Sequence, residues 1–193
     1  MSVSHRLMPN NGLSVNPPLT RMPYMTTPQE NGMATIHPFL WFETDAQEAR
    51  DFYLSVFRNS KALDSTEFSD RVSANNKTAQ MAVYDFELEG LRLTALNAGS
   101  APRFNERVSL YIETKDQSET DYYWHALTAG GGVEKQCGWL TDRYGVHWQV
   151  VPEIMLRLLA DPDREKADRV RYAMYKMSKI IVADIEAAYA GNA

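Results

Sequence analysis

The chain's patterning predicts an α+β fold: two paired βαβββ modules forming a cup-shaped sheet, with helices appended at the C-terminus. Three observations carry this expectation. A strand, a helix and three strands follow one another twice. The two cycles align with each other in register. Behind them, apolar residues recur at helical spacing.

Residues 1–33 stand apart. They hold five of the nine prolines, Pro9, Pro17, Pro18, Pro23 and Pro28, with Glu30 as the only acidic residue. Without apolar periodicity such a segment cannot offset its ordering entropy, which predicts a flexible extension. From Thr35 the pattern becomes dense. Residues 35–43 (TIHPFLWFE) are aromatic and branched, as a strand requires. Asp45 is placed to cap a helix over 46–57, with Ala49, Phe52, Tyr53 and Val56 on one face. Strands are expected over 62–68, 81–88 and 91–97, with a polar loop at 69–78 and a tight turn at Glu89 and Gly90. The second cycle reads as a strand over 108–114, a helix over 117–128, a break at Gly130, Gly131 and Gly132, and strands near 133–136, 139–141 and 146–151. The paired domain therefore spans 34–152, with modules at about 35–98 and 107–152. Helices over 153–193 complete the chain, one of them opened by Asp161 as cap with Pro162 in its first turn.

A shift of 70 positions sets Leu40 on Leu110, Glu43 on Glu113, Thr44 on Thr114, Gln47 on Gln117, Asp51 on Asp121 and Tyr53 on Tyr123, six identities in the fourteen positions 40–53. At the other end of the modules a shift of 55 sets residues 91–97 on 146–152. Two such units can enclose a cavity, and concave cavities are where small ligands bind. Strand alternation nominates its lining: His37, Phe39, Trp41 and Glu43, matched by Arg107, Ser109, Tyr111 and Glu113, with Arg92, Thr94 and Leu96 matched by His147, Gln149 and Val151.

Composition narrows the function classes. A net charge of −5 offers no global attraction to nucleic acid or anionic lipid. A single cysteine, Cys137, permits no internal disulfide and fits a reducing, cytoplasmic setting; its surroundings suggest a buried, inert thiol. No apolar run reaches membrane-spanning length. Phosphate-cradling and dinucleotide glycine loops are missing from the sequence, as is a nucleophile elbow.

The runs 38–43 (PFLWFE), 94–97 (TALN), 136–140 (QCGWL) and 148–152 (WQVVP), with the tail DPDREKADRVRYAMYKM and ADIEAAYAG, resemble the PhnB-type branch of the vicinal oxygen chelate superfamily. That superfamily includes glyoxalase I and the bleomycin-resistance proteins, and this branch often carries the label 3-demethylubiquinone-9 3-methyltransferase. The resemblance implies the glyoxalase/bleomycin resistance fold and a homodimer. It also implies that the superfamily's metal ligands correspond here to His37, Thr94, Arg107 and Gln149. Only His37 is a strong ligand; Thr94 and Gln149 are weak neutral donors, and the Arg107 cation repels a metal.

The leading expectation is therefore a small-molecule-binding protein without a tightly held metal or other cofactor. Its ligand would be anionic or aromatic, held by Trp41, Arg92, Thr94, Arg107, Tyr111 and Gln149. Arg92 and Arg107 either clamp an anionic group or pair with Glu43 or Glu113. The first alternative is a superfamily enzyme, lyase-, isomerase- or dioxygenase-like, or a methyltransferase as the family label has it. It would use His37 or His147 as acid or base, with a loosely bound divalent metal. The second is a protein-interaction role through the dimer or the C-terminal helices.

Overall fold

A computed structural model describes residues 34–192; the predicted extension over 1–33 lies outside the described residues. Residues 37–192 cluster as one compact unit, and the described residues preceding it, 34–36, have no regular secondary structure.

The first module runs β1 (Phe39–Phe42), α1 (Ala46–Val56), β2 (Ser60–Ala74), β3 (Lys77–Leu88) and β4 (Leu91–Asn97). The second runs β5 (Leu110–Thr114), α2 (Gln117–Thr128), β6 (Val133–Glu134), β7 (Trp139–Thr141) and β8 (His147–Pro152). Each builds a four-stranded sheet, ordered β1-β4-β3-β2 and β5-β8-β7-β6, in which the first strand lies parallel to the last. The βαβββ unit is thus present twice in the chain, as the glyoxalase/bleomycin resistance fold requires. The residue correspondence is looser. Thr94 pairs with Phe39, whereas Gln149 pairs with Tyr111, so the shifts of 70 and 55 miss each other by two positions. An offset of two preserves the face on which each side chain sits.

Burial alternates as the pleat demands. Leu40 and Phe42 on β1 are buried, and Phe39 and Trp41 are exposed. The buried faces of the two sheets share one core. In it α1 is wedged between Phe86 of the first sheet and Trp148 of the second, with Tyr53 ring centroids 6.2 and 5.4 Å from theirs. Ala49, Tyr53 and Val56 fill this wedge as expected, with Phe52 half-buried beside them. The carboxylate of Asp142 ties the modules together. It accepts from Tyr53 Oη (2.7 Å), Trp148 Nε1 (2.8 Å) and the amides of Tyr144 (2.9 Å) and Val146 (3.0 Å).

Four local expectations are corrected. The polar segment 69–78 is no loop: it continues β2 and β3 as a hairpin turning at Asn75 and Asn76, both left-handed (φ 49° and 62°). Its polarity reflects two solvated faces rather than irregular backbone, and Asn tolerates the left-handed turn that a two-residue hairpin needs. Asp45 makes no side-chain cap to α1; Asn97 Oδ1 accepts from the Ala46 amide (2.7 Å), leaving Asp45 to pair with Lys77 (2.8 Å). β5 begins at Leu110, so Arg107 sits in a turn before the strand rather than on its approach.

The fourth correction lies in the C-terminal helices α3 (Glu153–Leu159), α4 (Arg164–Met174) and α5 (Val182–Ala190). The cap of α4 is Asp163, which accepts from the amides of Glu165 and Lys166, while Asp161 accepts from the Asp163 amide (2.8 Å) and from Tyr189 Oη (2.7 Å). Met155, Val170, Ile180 and Ile185 build a second core with Val151 at the end of β8. Among the described residues no helix is long and apolar enough to cross a membrane.

Candidate functional site

On the outer face of the first sheet, β1, β4 and β3 bring four side chains into a chain of contacts. His37 Nε2 lies 3.0 Å from Thr94 Oγ1, and Thr94 in turn donates to Asp85 Oδ1. Arg92 donates to the other oxygen of Asp85 at 2.5 Å. Burial pushes the Asp85 carboxyl up, but the hydrogen bonds from Thr94 and Arg92 outweigh it and hold it below its ordinary range. Arg92 therefore has an internal partner, and that partner is Asp85 rather than Glu43 or Glu113. His37 Nδ1 is buried without a hydrogen-bond partner among the described residues.

The second sheet carries a separate pair. Gln149 Nε2 donates to Ser109 Oγ at 2.8 Å, beside exposed Tyr111. No hydrogen bond joins this pair to the His37 cluster among the described residues. Arg107 is exposed, and its amide is taken by Asn105 Oδ1 at 3.0 Å.

Of the eight predicted site residues, the structure gathers two, Trp41 and His147, at the wall of one cavity of about 550 Å³. β1 supplies Trp41, anchored by Nε1–H to Gly99 O at 3.2 Å. β8 supplies His147, buried with Nδ1 at 3.2 Å from Thr141 Oγ1 and 3.5 Å from Lys135 Nζ. Phe104 and Tyr144 add aromatic surface, and Phe104 packs edge-on against Phe42 with ring centroids 5.4 Å apart. Burial and the charge of Glu48, to which Tyr144 Oη donates at 3.2 Å, push the Tyr144 hydroxyl up to about 12, so it stays a neutral donor.

Two cations enter this wall. Lys135 is paired with Glu106, whereas Arg103 has no ionic partner among the described residues. On the acidic side, Glu43 accepts from Asn75 Nδ2 (2.5 Å) and Asp45 holds Lys77. Arg103, Phe104, Lys135 and Tyr144 were not legible as site residues. They come from the connection between modules and from the second sheet's short strands, and only the run Pro102-Arg103-Phe104, aromatic and cationic inside a connection, hinted at them.

The metal implied by the superfamily does not fit these residues. His37 spends Nε2 on Thr94, Thr94 is committed to Asp85, and Gln149 is bonded to Ser109 on the other sheet. Among the described residues no three His, Cys, Asp or Glu side chains converge as a ligand set.

Comparison with known proteins agrees with the topology. The family model described as 3-demethylubiquinone-9 3-methyltransferase matches residues 34–151. The PhnB protein from Bacillus cereus is 26% identical with a TM-score of 0.53, covering 62% of this chain and 99% of its own. Protein PA1353 from Pseudomonas aeruginosa is 21% identical (TM-score 0.48; 63% and 98% covered). The fosfomycin resistance protein FosX from Listeria monocytogenes is 16% identical (TM-score 0.47; 67% and 98% covered). No curated protein matches the chain. Because the matched span takes in both modules from before β1 to Val151 of β8, the chain belongs to the family described as 3-demethylubiquinone-9 3-methyltransferase.

Proposed function

We propose that this protein binds a small molecule carrying an anionic group on an aromatic body, without a tightly held metal, in the cavity between β1 and β8. The observation that carries the reading is that cavity's composition. Trp41, Phe104 and Tyr144 offer ring surface, and Arg103 faces the same space without an internal counter-ion among the described residues. An arginine so placed suits bidentate capture of a carboxylate or phosphonate, and the rings add stacking area. Exposed Phe39 and Val108 on the two modules support a homodimer in which a second copy covers apolar surface.

Calorimetric titration with phenylphosphonate and with benzoate tests the reading. Saturable binding is expected, weakened about tenfold or more in Arg103→Ala, the scale of a lost charge-assisted contact. Absence of binding, or full affinity in Arg103→Ala, overturns it. Elemental analysis after dialysis against divalent metals is expected to find none retained stoichiometrically.

A second reading keeps the cavity and makes the protein an enzyme. It rests on His147, whose buried ring lies within reach of Thr141 and Lys135 at the wall and is placed to move a proton. On that reading His147→Gln abolishes turnover while phenylphosphonate still binds.

A further inference from the structure

A second cavity, about 380 Å³, opens where the β3–β4 turn of the first module meets β5 and α2 of the second. Its character is opposite to that of the first. Buried Phe57, Leu93 and Trp148 form its floor, and Tyr123 adds a further ring. Glu89 from the turn, Glu113 from β5 and Glu119 from the first turn of α2 face it, and among the described residues no lysine, arginine or histidine lines it. None of the three carboxylates joins a salt bridge among the described residues. Glu89 accepts only from the Asn59 amide (3.1 Å) and Glu119 from the Lys115 amide (2.8 Å), neither of which is a cation. Arg58 and Lys115 line a separate depression that shares Glu119 and Tyr123.

We infer that this cavity binds an organic cation, a substituted ammonium on an apolar or aromatic body. The cavity supplies the two things such a cation needs from a protein: apolar area for its body from the buried floor, whose rings stack on one another, and the exposed ring of Tyr111 at the wall, whose quadrupole attracts its charge. The carboxylates fix the sign, because an anion here would face three like charges and a neutral molecule would leave them without a counter-ion. Their field reaches the rings. The Tyr123 hydroxyl is pushed up by burial and then by Glu89 and Glu119, and the Tyr111 hydroxyl by burial and then by Glu113. The site uses none of the residues assigned to the first cavity, so it stands whether or not that reading holds.

The test is calorimetric titration of the full chain with benzyltrimethylammonium, alongside benzyl alcohol and phenylacetate. The cation is expected to bind saturably, one per chain, the alcohol more weakly and phenylacetate not at all at this site. The triple variant E89Q/E113Q/E119Q keeps side-chain size, and is expected to weaken cation binding at least tenfold, the scale of losing a close charge partner. Added salt weakens it in the wild type, and Trp41→Ala leaves it unchanged. No saturable cation binding overturns the inference, as does full affinity in the triple variant. So does a cavity covered by a second copy, shown by a dimer that Leu91→Glu dissociates and that takes up no cation.

Discussion

Asp85 shows how a single side chain governs a neighbourhood. It receives Thr94 and Arg92 on separate oxygens, and through Thr94 it fixes the group facing His37 Nε2. Its carboxyl is held below the ordinary value of 3.8, so the folded state binds its proton less readily than the unfolded chain. The stability that Asp85 contributes is present above that value and is lost as pH falls through its lowered pKa. Asp85→Asn is therefore expected to flatten the acid limb of a stability-versus-pH curve below about pH 4, measured by urea denaturation at stepped pH. An unchanged acid limb would show that Asp85 is not held as described. None of this was legible in the sequence, where Arg92 was matched to glutamates on other strands. β3 was expected, but its cross-strand register, which sets Asp85 opposite Thr94, was not.

At the scale of elements, the turns decide where strands begin and end. Gly138 precedes β7 with φ +81°, and a Cβ there would lie 2.8 Å from Val150 O, inside contact distance of backbone that cannot yield. Gly90, in the β3–β4 turn, has φ +86° but open space around it. Both substitutions to Ala incur backbone strain, and only Gly138 adds a clash. Gly138→Ala is expected to cost roughly 2 kcal/mol or more and Gly90→Ala about 1 kcal/mol, read from denaturation midpoints. Gly138 also donates its amide to Ser178 O (2.8 Å), and Cys137 donates to Met177 O (2.8 Å). The same bend thus docks the segment between α4 and α5. The bounds of helix α2 were legible to the residue; its Asp116 cap and the β2–β3 hairpin were not. A strand solvated on both faces loses the alternation by which strands are read.

For the molecule as a whole, the join between modules is built around one buried carboxylate. Asp142 closes the β7–β8 turn through the amides of Tyr144 and Val146, and reaches Tyr53 on α1. Burial raises its pKa even though all four donors favour its charged form. Asp142→Ala would leave the Tyr53 hydroxyl and the Trp148 indole N–H buried without an acceptor, at a cost of about 1–3 kcal/mol for each group so stranded. A total loss of roughly 2–6 kcal/mol is expected in urea denaturation, and Tyr53→Phe, which removes one donor and strands none, should cost much less. Equal losses in the two variants would mean that Asp142 does not bridge the modules.

By itself, the sequence determined the two-module α+β architecture, the helical C-terminus, the alternation of buried and exposed faces along β1, and the family. These follow from periodicities of two and 3.6 and from local motifs, which act between near neighbours in the chain. Only the tertiary structure decided which side chains meet. It seated Trp41 and His147 with Arg103 and Lys135 at one cavity, kept His37 and Gln149 on separate sheets, and put three glutamates around a second cavity. Those encounters depend on strand register and on how the modules dock through Tyr53, Trp148 and Asp142. Both are set by contacts between residues far apart in the chain, which no local pattern records.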